Sequence, residues 1–167
     1  HTKALTGCCW SSAGRHIASS SYDGTIKIWD AVTGRNVQTL GGHTSHILGV
    51  TFSHNGQKLM SRSATAEVAV YDWATATGLC HFQAHVRVSS CTFSPDGAHM
   101  LSAGDLGVKL WTLEPRVSLV QVYNAGDFAC WARFMAEGRR IVAIHGRYSG
   151  AGPDGAAQPA AASQTTF

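Results

Sequence analysis

The amino-acid sequence predicts an all-β fold made of repeated four-stranded antiparallel units. Three observations predict it: an aromatic residue recurs every 41 or 42 residues, a polar turn ending in glycine follows each aromatic, and the runs between turns alternate apolar and polar residues. The recurring aromatics are Trp10, Phe52, Phe93 and Phe134, and their inward position in the strand period predicts that they pack in the core. Because a unit of this kind leaves apolar surface uncovered, we expect successive units to stack.

Each unit is predicted to contain the same elements in the same order. The first strand ends at the recurring aromatic, and the turn after it ends in glycine, as in Asn55-Gly56 and Asp96-Gly97. Glycine has no Cβ, so it adopts the positive φ that a tight hairpin requires. A second strand follows, then a third strand that ends in another aromatic in three units, then a weaker fourth strand. The predicted third and fourth strands are Ile26 to Trp29, Val68 to Tyr71 and Val108 to Trp111, and about Val37 to Leu40, Leu79 to Phe82 and Ser118 to Val122.

Four-stranded units of this length bury both faces by stacking around an axis, as the blades of a β-propeller do. We expect three complete blades and the first two strands of a fourth, about 3.5 blades in all, over residues 1–148. The repeats fall at about 1–42, 43–84 and 85–124, with a partial repeat at 125–148. From residue 149 the sequence is rich in Ala, Gly, Pro and Ser without periodicity, which predicts a disordered tail over 149–167.

The composition narrows the possible functions. Hydrophobic residues make up 44% of the chain and charged residues 14%, which is typical of a globular protein. The net charge is +3 and the 13 Lys and Arg residues are scattered, which disfavours a nucleic-acid partner. Apolar runs such as Ile141 to Ile144 are far too short for a membrane segment. The odd number of cysteines, five, predicts reduced thiols and an intracellular protein, cytoplasmic or nuclear. A chain that starts at His1 without methionine suggests a segment of a longer protein.

The repeats also carry a specific motif. Gly42-His43 lies at the start of the second unit and Trp29-Asp30 at the end of the third strand of the first, and the sequence from Ile17 to Asp30 ends in this Trp-Asp pair. In these features the chain resembles the WD-repeat (Trp-Asp repeat) β-propeller family over about residues 1 to 145. The partial matches are His1, Ala84-His85, Tyr71-Asp72 and Trp111-Thr112.

The resemblance implies a hydrogen-bonded chain inside each blade, which joins a loop histidine, a serine, a turn aspartate and a closing tryptophan. The second blade departs from this pattern, because Thr65 stands where the aspartate is expected and Tyr71 replaces the tryptophan. Its network is therefore expected to be weaker. The residues assigned to the structural network are His1, Ser19, Asp23, Trp29, His43, Ser61, His85, Ser102, Asp105 and Trp111.

Catalysis and bound cofactors are not expected. The Ser-His-Asp sets recur with the repeat, whereas a nucleophilic enzyme needs one set, so we predict no enzyme activity and no catalytic residue. No Cys-x-x-Cys pair is present, and we predict no metal site. Gly150, Gly152 and Gly155 match a dinucleotide fingerprint, but Pro153 interrupts it and Pro159 stands where a helix should begin, so no cofactor is predicted.

The resemblance implies a non-catalytic protein–protein interaction scaffold, in which loops at one face of the propeller bind a protein or peptide. By position in the repeat, the partner-binding residues are expected to be Lys3, Tyr22, His46, Arg87 and Gly104. The basic members favour an acidic or phosphorylated partner.

Two other functions stay open at this point. One is a regulatory or sensor propeller of a multidomain ATPase or signalling protein, and the other is an RNA-binding propeller face. Because an incomplete propeller has open edges, we also expect the isolated segment to self-associate.

Overall fold

The chain forms a series of antiparallel sheets. The computed structural model describes residues 1–123, 128–135, 138–146 and 161–166, and three of its four sheets have four strands each. Blade 1 contains β1 (Leu5–Trp10), β2 (His16–Ser21), β3 (Ile26–Asp30) and β4 (Asn36–Leu40). Blade 2 contains β5 (Ile47–Phe52), β6 (Lys58–Ser63), β7 (Glu67–Asp72) and β8 (Thr77–Gln83). Blade 3 contains β9 (Val88–Phe93), β10 (His99–Gly104), β11 (Gly107–Thr112) and β12 (Ser118–Tyr123).

Within each blade the strands pair in sequence order, which confirms the predicted all-β fold and incomplete propeller. The predicted turn between the first two strands is also confirmed, since Gly14, Gly56 and Gly97 have φ of 68°, 72° and 72°. A serine closes each turn by accepting a hydrogen bond from a backbone N–H. Ser53 Oγ, for example, accepts from Lys58 N at 2.9 Å.

The blades pack face to face through three separate apolar cores. The first strands of successive blades are in contact, β1 with β5, β5 with β9, and β9 with β13 (Phe128–Met135) of the fourth sheet. The core between blades 1 and 2 includes Ile26, Ile28 and Leu59, that between blades 2 and 3 includes Met60, Val70 and Met100, and that between blade 3 and the fourth sheet includes Leu101, Val108 and Ile141. Burial of this apolar surface is the main force that holds each blade to the next.

One of the recurring aromatics differs from expectation. Phe52 and Phe93 are buried between blades, as the repeat predicts, but Trp10 is 61% exposed. The reason is positional: Phe52 contributes to the core toward blade 1 and Phe93 to the core toward blade 2, while no described blade precedes Trp10. The expectation that Trp10 packs in a core is therefore wrong for this chain.

The fourth sheet, blade 4, has one strand more than the sequence predicts. It contains β13, β14 (Arg140–Gly146) and β15 (Ala161–Thr166), and β15 pairs antiparallel with β14 from Arg140↔Thr166 to His145↔Ala161. The strand lies in the segment for which a disordered tail is predicted, whereas residues 147–160 and 167 lie outside the described residues. The sequence of β15 lacks the large apolar residues that signal a strand, but an open edge pairs with any extended backbone.

None of the described residues belongs to a helix long and apolar enough to cross a bilayer.

Candidate functional site

A hydrogen-bonded chain crosses blade 1 from β3 to the segment before β1. Trp29 Nε1 donates to Ser19 Oγ at 2.8 Å, the Ser19 hydroxyl donates to His1 Nε2 at 2.7 Å, and His1 Nδ1 donates to Asp23 Oδ2 at 3.0 Å. Each group is used as its chemistry allows, because an indole only donates and a hydroxyl both donates and accepts. These hydrogen bonds tie the N-terminal segment to the second and third strands.

The carboxylate of Asp23 is held in its charged form. Burial is the largest influence and would raise its pKa, but hydrogen bonds from Thr25 Oγ1 and from the backbone N–H groups of Thr2 and Thr25 outweigh it and lower the pKa to about 2. At neutral pH this aspartate is therefore the anionic end of the hydrogen-bonded series that begins at Trp29.

Blade 3 has a similar arrangement around Ser102. Trp111 Nε1 donates to Ser102 Oγ at 2.8 Å, and His85 Nε2 lies 2.9 Å from the same oxygen. Asp105 Oδ1 lies 3.5 Å from His85 Nδ1 and accepts hydrogen bonds from the backbone N–H groups of Val86 and Arg87. Burial, followed by the charge of Lys109, lowers the pKa of His85, so its imidazole is neutral at neutral pH.

The two complete Ser-His-Asp sets are poorly suited to nucleophilic catalysis. Ser19 and Ser102 are buried, and each hydroxyl oxygen already accepts a hydrogen bond from an indole. A nucleophilic oxygen must reach a substrate carbon, which neither position permits. The geometry agrees with a structural role in holding the strands of a blade together.

Blade 2 has a different cluster of side chains in place of the Trp-Ser-His-Asp contacts of blades 1 and 3. His43 Nε2 lies 2.6 Å from Ser61 Oγ, and Thr65 forms a hydrogen bond with Ser63 Oγ instead of approaching the histidine. A carboxylate is nevertheless present, because Glu67 Oε2 lies 3.6 Å from His43 Nδ1. Sequence reasoning missed Glu67, since it stands two residues beyond the position where the repeat places an acid.

His81 completes this cluster, with Nε2 3.3 Å from Glu67 Oε2. It also stands four residues before His85, a spacing that in a helix would bring two histidines together. Here β8 ends at Gln83, and the two imidazoles belong to different blades: His81 faces Glu67 and His85 contacts Ser102. The spacing alone thus gives no pair, and the three-dimensional cluster is found only from the strand register.

The predicted partner-binding residues Lys3, Tyr22, His46 and Arg87 are exposed. They lie in segments that precede a first strand or join a second strand to a third, and the pairing of Leu5 with Ser21 shows that these segments share one end of the blade. Tyr22 and His46 are in direct contact, with ring centroids 5.0 Å apart and a hydrogen bond from His46 Nδ1 to Tyr22 O of 2.6 Å. This pair joins blade 1 to blade 2 at the loop end.

Gly104 is buried and does not belong to that exposed set, so its assignment to the partner-binding residues is wrong. It pairs with Val88 at the position where Ser21 pairs with Leu5 in blade 1 and Ser63 with Ile47 in blade 2. Gly104, Ser21 and Ser63 are all buried. A residue equivalent to Tyr22 is missing from blade 3. A Cβ at Gly104 would overlap the backbone oxygen of Arg87 and lie 2.7 Å from His85 Cγ. Gly104 thus permits close packing and offers no surface to a partner.

Two exposed apolar residues flank the same loops of blade 3. Val86 is 71% exposed and Leu106 48% exposed. The backbone N–H of Val86 donates to Asp105 Oδ1, so the two loops that carry these side chains lie next to each other. Sequence reasoning missed both residues, because an isolated valine or leucine in a loop has no periodic signal.

Residues of β1, β5, β6 and β9 line a groove of about 270 Å³. Arg62 is its one charged lining residue within the part of the chain that the structure describes, and its Nη1 donates to Val88 O at 3.3 Å. This hydrogen bond joins blade 2 to blade 3, so the guanidinium has a structural partner.

Comparison with known proteins places these repeats in a family. The family described as "WD domain, G-beta repeat" matches residues 1–30, 34–72 and 77–112. A subunit of chromatin assembly factor 1 from Gallus gallus is 35% identical over 75 residues, 45% of this chain and 13% of the relative. The ribosome biogenesis protein WDR12 homolog of Ixodes scapularis is 31% identical over 117 residues, 66% of this chain and 27% of the relative.

A third relative, nuclear distribution protein PAC1-2 of Uncinocarpus reesii, is 31% identical over 150 residues, 83% of this chain and 29% of the relative. The chain therefore spans less than a third of the length of each of these relatives. The family match covers more than half of the chain and includes every strand of blades 1 to 3 except β12. The repeated sheets, the buried Ser-His-Trp contacts and this match together establish that the chain belongs to the WD40 repeat family.

Proposed function

We propose that this chain is part of a non-catalytic scaffold that binds a protein or peptide at the loop end of its blades. The observation that carries the proposal is the Tyr22–His46 pair, in which an aromatic residue that is 43% exposed is held in place across two blades. Fixed, partly exposed aromatic residues are frequent binding hot spots. One relative is named as a subunit of chromatin assembly factor 1, which is consistent with membership in an assembly.

The side chains at this end favour an acidic or phosphorylated peptide. Lys3 and Arg87 are exposed cations, and Tyr22, Val86 and Leu106 supply apolar contact surface. Exposed ion pairs contribute only about 0 to 1 kcal/mol each, so the cations would steer an acidic partner while the apolar residues contribute most of the affinity. The partner we propose is intracellular, and neither a membrane nor a cofactor takes part.

The test is binding of the 167-residue chain to an array of acidic and phosphorylated peptides, with uncharged versions of the same peptides alongside. Tyr22→Ala is expected to weaken binding at least about tenfold, as loss of a hot-spot aromatic does. Lys3→Glu combined with Arg87→Glu is expected to slow association and to reduce its dependence on salt.

Matched controls lie at the opposite end of blade 1, where Val32 is 91% exposed and Arg35 is exposed. Val32→Ala and Arg35→Glu should bind as the unmodified chain does. Equal losses in the control and the Tyr22 variants, or no loss in either, would remove the loop end as the docking surface.

A regulatory propeller within a multidomain ATPase stays an alternative hypothesis, which a P-loop in sequence preceding residue 1 would support. Binding of generic RNA that is lost in the Lys3 and Arg87 variant would instead favour the RNA-binding hypothesis.

A further inference from the structure

Blade 2 brings together three side chains of the types that bind transition metals. Glu67 Oε2 lies 3.6 Å from His43 Nδ1 and 3.3 Å from His81 Nε2, and all three ligand atoms lie within 4.8 Å of one another. The strand register explains the approach: Ala69 pairs with His81, so Glu67 and His81 are diagonal neighbours on one face of the β7–β8 pair. His43 reaches them from the segment before β5.

Two of these three atoms are buried without a hydrogen bond. His43 Nδ1 and Glu67 Oε2 have no hydrogen-bond partner in the part of the chain that the structure describes, and the His43 side chain is completely buried. A buried polar atom without a partner destabilises a fold, so native proteins rarely leave one unsatisfied. A cation between the two atoms would satisfy both.

The contacts of His43 leave the required nitrogen available. In blades 1 and 3 an indole N–H donates to the network serine, but blade 2 has Tyr71 in place of the tryptophan. Ser61 Oγ can therefore accept a hydrogen bond from His43 Nε2, which lies 2.6 Å away. In that tautomer Nδ1 carries a lone pair directed toward Glu67. A histidine ligand that donates its other N–H in this way is the usual arrangement at metal sites.

The charges around the cluster also distinguish blade 2 from its neighbours. In blade 3 the ammonium group of Lys109 donates to Ala84 O, next to the loop histidine, and in blade 1 Lys27 Nζ lies 5.8 Å from the Trp29 ring centroid. Either ammonium would repel a metal ion. The register places Ala69 at the corresponding position of blade 2, since Ser61 pairs with Ala69 as Ser19 pairs with Lys27 and Ser102 with Lys109. The repulsive charge is thus absent from this position.

In place of the prediction that the chain has no metal site, we propose that His43 Nδ1, Glu67 Oε2 and His81 Nε2 bind a divalent transition-metal ion, with Zn²⁺ as the best fit. Two imidazole nitrogens and one carboxylate oxygen suit Zn²⁺, whereas Ca²⁺ and Mg²⁺ prefer oxygen ligands throughout. Tetrahedral Zn²⁺ with bonds of about 2.0 to 2.1 Å separates its ligand atoms by about 3.3 Å, close to the two distances above. His81 is 41% exposed, so its side chain is free to adjust and water can take the fourth position.

The test is titration of the tag-free 167-residue chain with ZnCl₂ by calorimetry, and with CoCl₂ by absorption spectroscopy. We expect one Zn²⁺ per chain, a rise in the unfolding midpoint with Zn²⁺, and the intense absorption of four-coordinate Co²⁺. His81→Ala and Glu67→Gln should each weaken Zn²⁺ binding by at least about tenfold, because loss of a ligand costs no less than loss of an outer contact.

The matched control is His99→Ala. His99 has the same exposed fraction as His81, 41%, and also lies near a carboxylate, with Nδ1 3.8 Å from Asp96 Oδ2. This variant should bind Zn²⁺ as tightly as the unmodified chain. Absence of a stoichiometric site, or equal affinity in folded His81→Ala, Glu67→Gln and His99→Ala chains, would overturn the proposal.

Discussion

Replacing Gly104 by alanine adds one methyl group where the backbone of blade 3 is most crowded. The new Cβ would overlap the backbone oxygen of Arg87 and lie 2.7 Å from Cγ and 2.8 Å from Nδ1 of His85. Because the first of these neighbours is backbone, the clash is relieved only if the peptide of Arg87 moves. That peptide oxygen accepts the hydrogen bond from Asp105 N at 3.3 Å, so relief of the clash breaks this bond.

The expected loss of stability follows from these two effects. Overpacking costs about 1 to 3 kcal/mol, and a lost backbone hydrogen bond costs about 1 kcal/mol, so Gly104→Ala should destabilise the chain by about 2 to 4 kcal/mol. For a chain of this length that corresponds to a fall in Tm on the order of 5 to 15 °C. The measurement is thermal and urea unfolding followed by tryptophan fluorescence.

Gly78→Ala provides the matched control for this prediction. Gly78 also lies in a strand, β8, but nothing lies within 4 Å of a Cβ added there. The free energy of unfolding of this variant should stay within about 0.5 kcal/mol of that of the unmodified chain, as for surface substitutions in general. If Gly104→Ala proves equally neutral, the close packing of the Arg87 loop against His85 is not what the glycine is needed for.

Three further predictions concern the network and the open face. Ser102→Ala should destabilise by about 1 to 3 kcal/mol, measured by urea unfolding, because Trp111 Nε1 and His85 Nε2 lose their shared partner. Burial and the charge of Lys109 lower the pKa of His85 in the folded chain below 6.5, so near that pH the unfolded chain binds more protons than the folded one. The free energy of unfolding, measured with EDTA present, should therefore fall as the pH is lowered from about 7.5 to 5.5. An equal fall in the His85→Gln variant would contradict this prediction. The isolated chain should form oligomers in light scattering, and Trp10→Lys should reduce them, whereas a monodisperse monomer before substitution would rule out association through this face.

The repeat explains why so much of the fold is predictable from sequence. The turn glycines and the strand-ending aromatics occupy fixed positions in a unit of 41 or 42 residues, so each strand of blades 1 to 3 is located by comparison with the other two. The same phase aligns Ser19 with Ser102 and His1 with His85, whose contacts the structure then shows to be similar. A property that recurs in every unit can be read from the period.

What the sequence does not reveal is whatever departs from the repeat. Glu67 and His81 occupy positions that are Thr25 and Thr39 in blade 1, as the pairing of Lys27 with Thr39 and of Ala69 with His81 indicates. Their approach depends on strand register, because they lie 14 positions apart in the chain. Blade 3 lacks a residue equivalent to Tyr22, so the sequence alignment of the repeats places Gly104 at the position of Tyr22 instead of the position of Ser21. Neighbouring positions along a strand face opposite sides, so this shift of one residue exchanges a buried position for an exposed one.

The three separate interblade cores have a consequence for how the chain opens. Blades 2 and 3 contribute residues to two cores each, whereas blade 1 contributes to one and leaves Trp10 uncovered on its other side. In a linear array with nearest-neighbour contacts, a terminal unit detaches by breaking one interface, while a central unit must break two. Amide hydrogen exchange should therefore be slowest in β6 and β10 and faster in β2, so that protection against solvent rises from blade 1 toward the centre of the array.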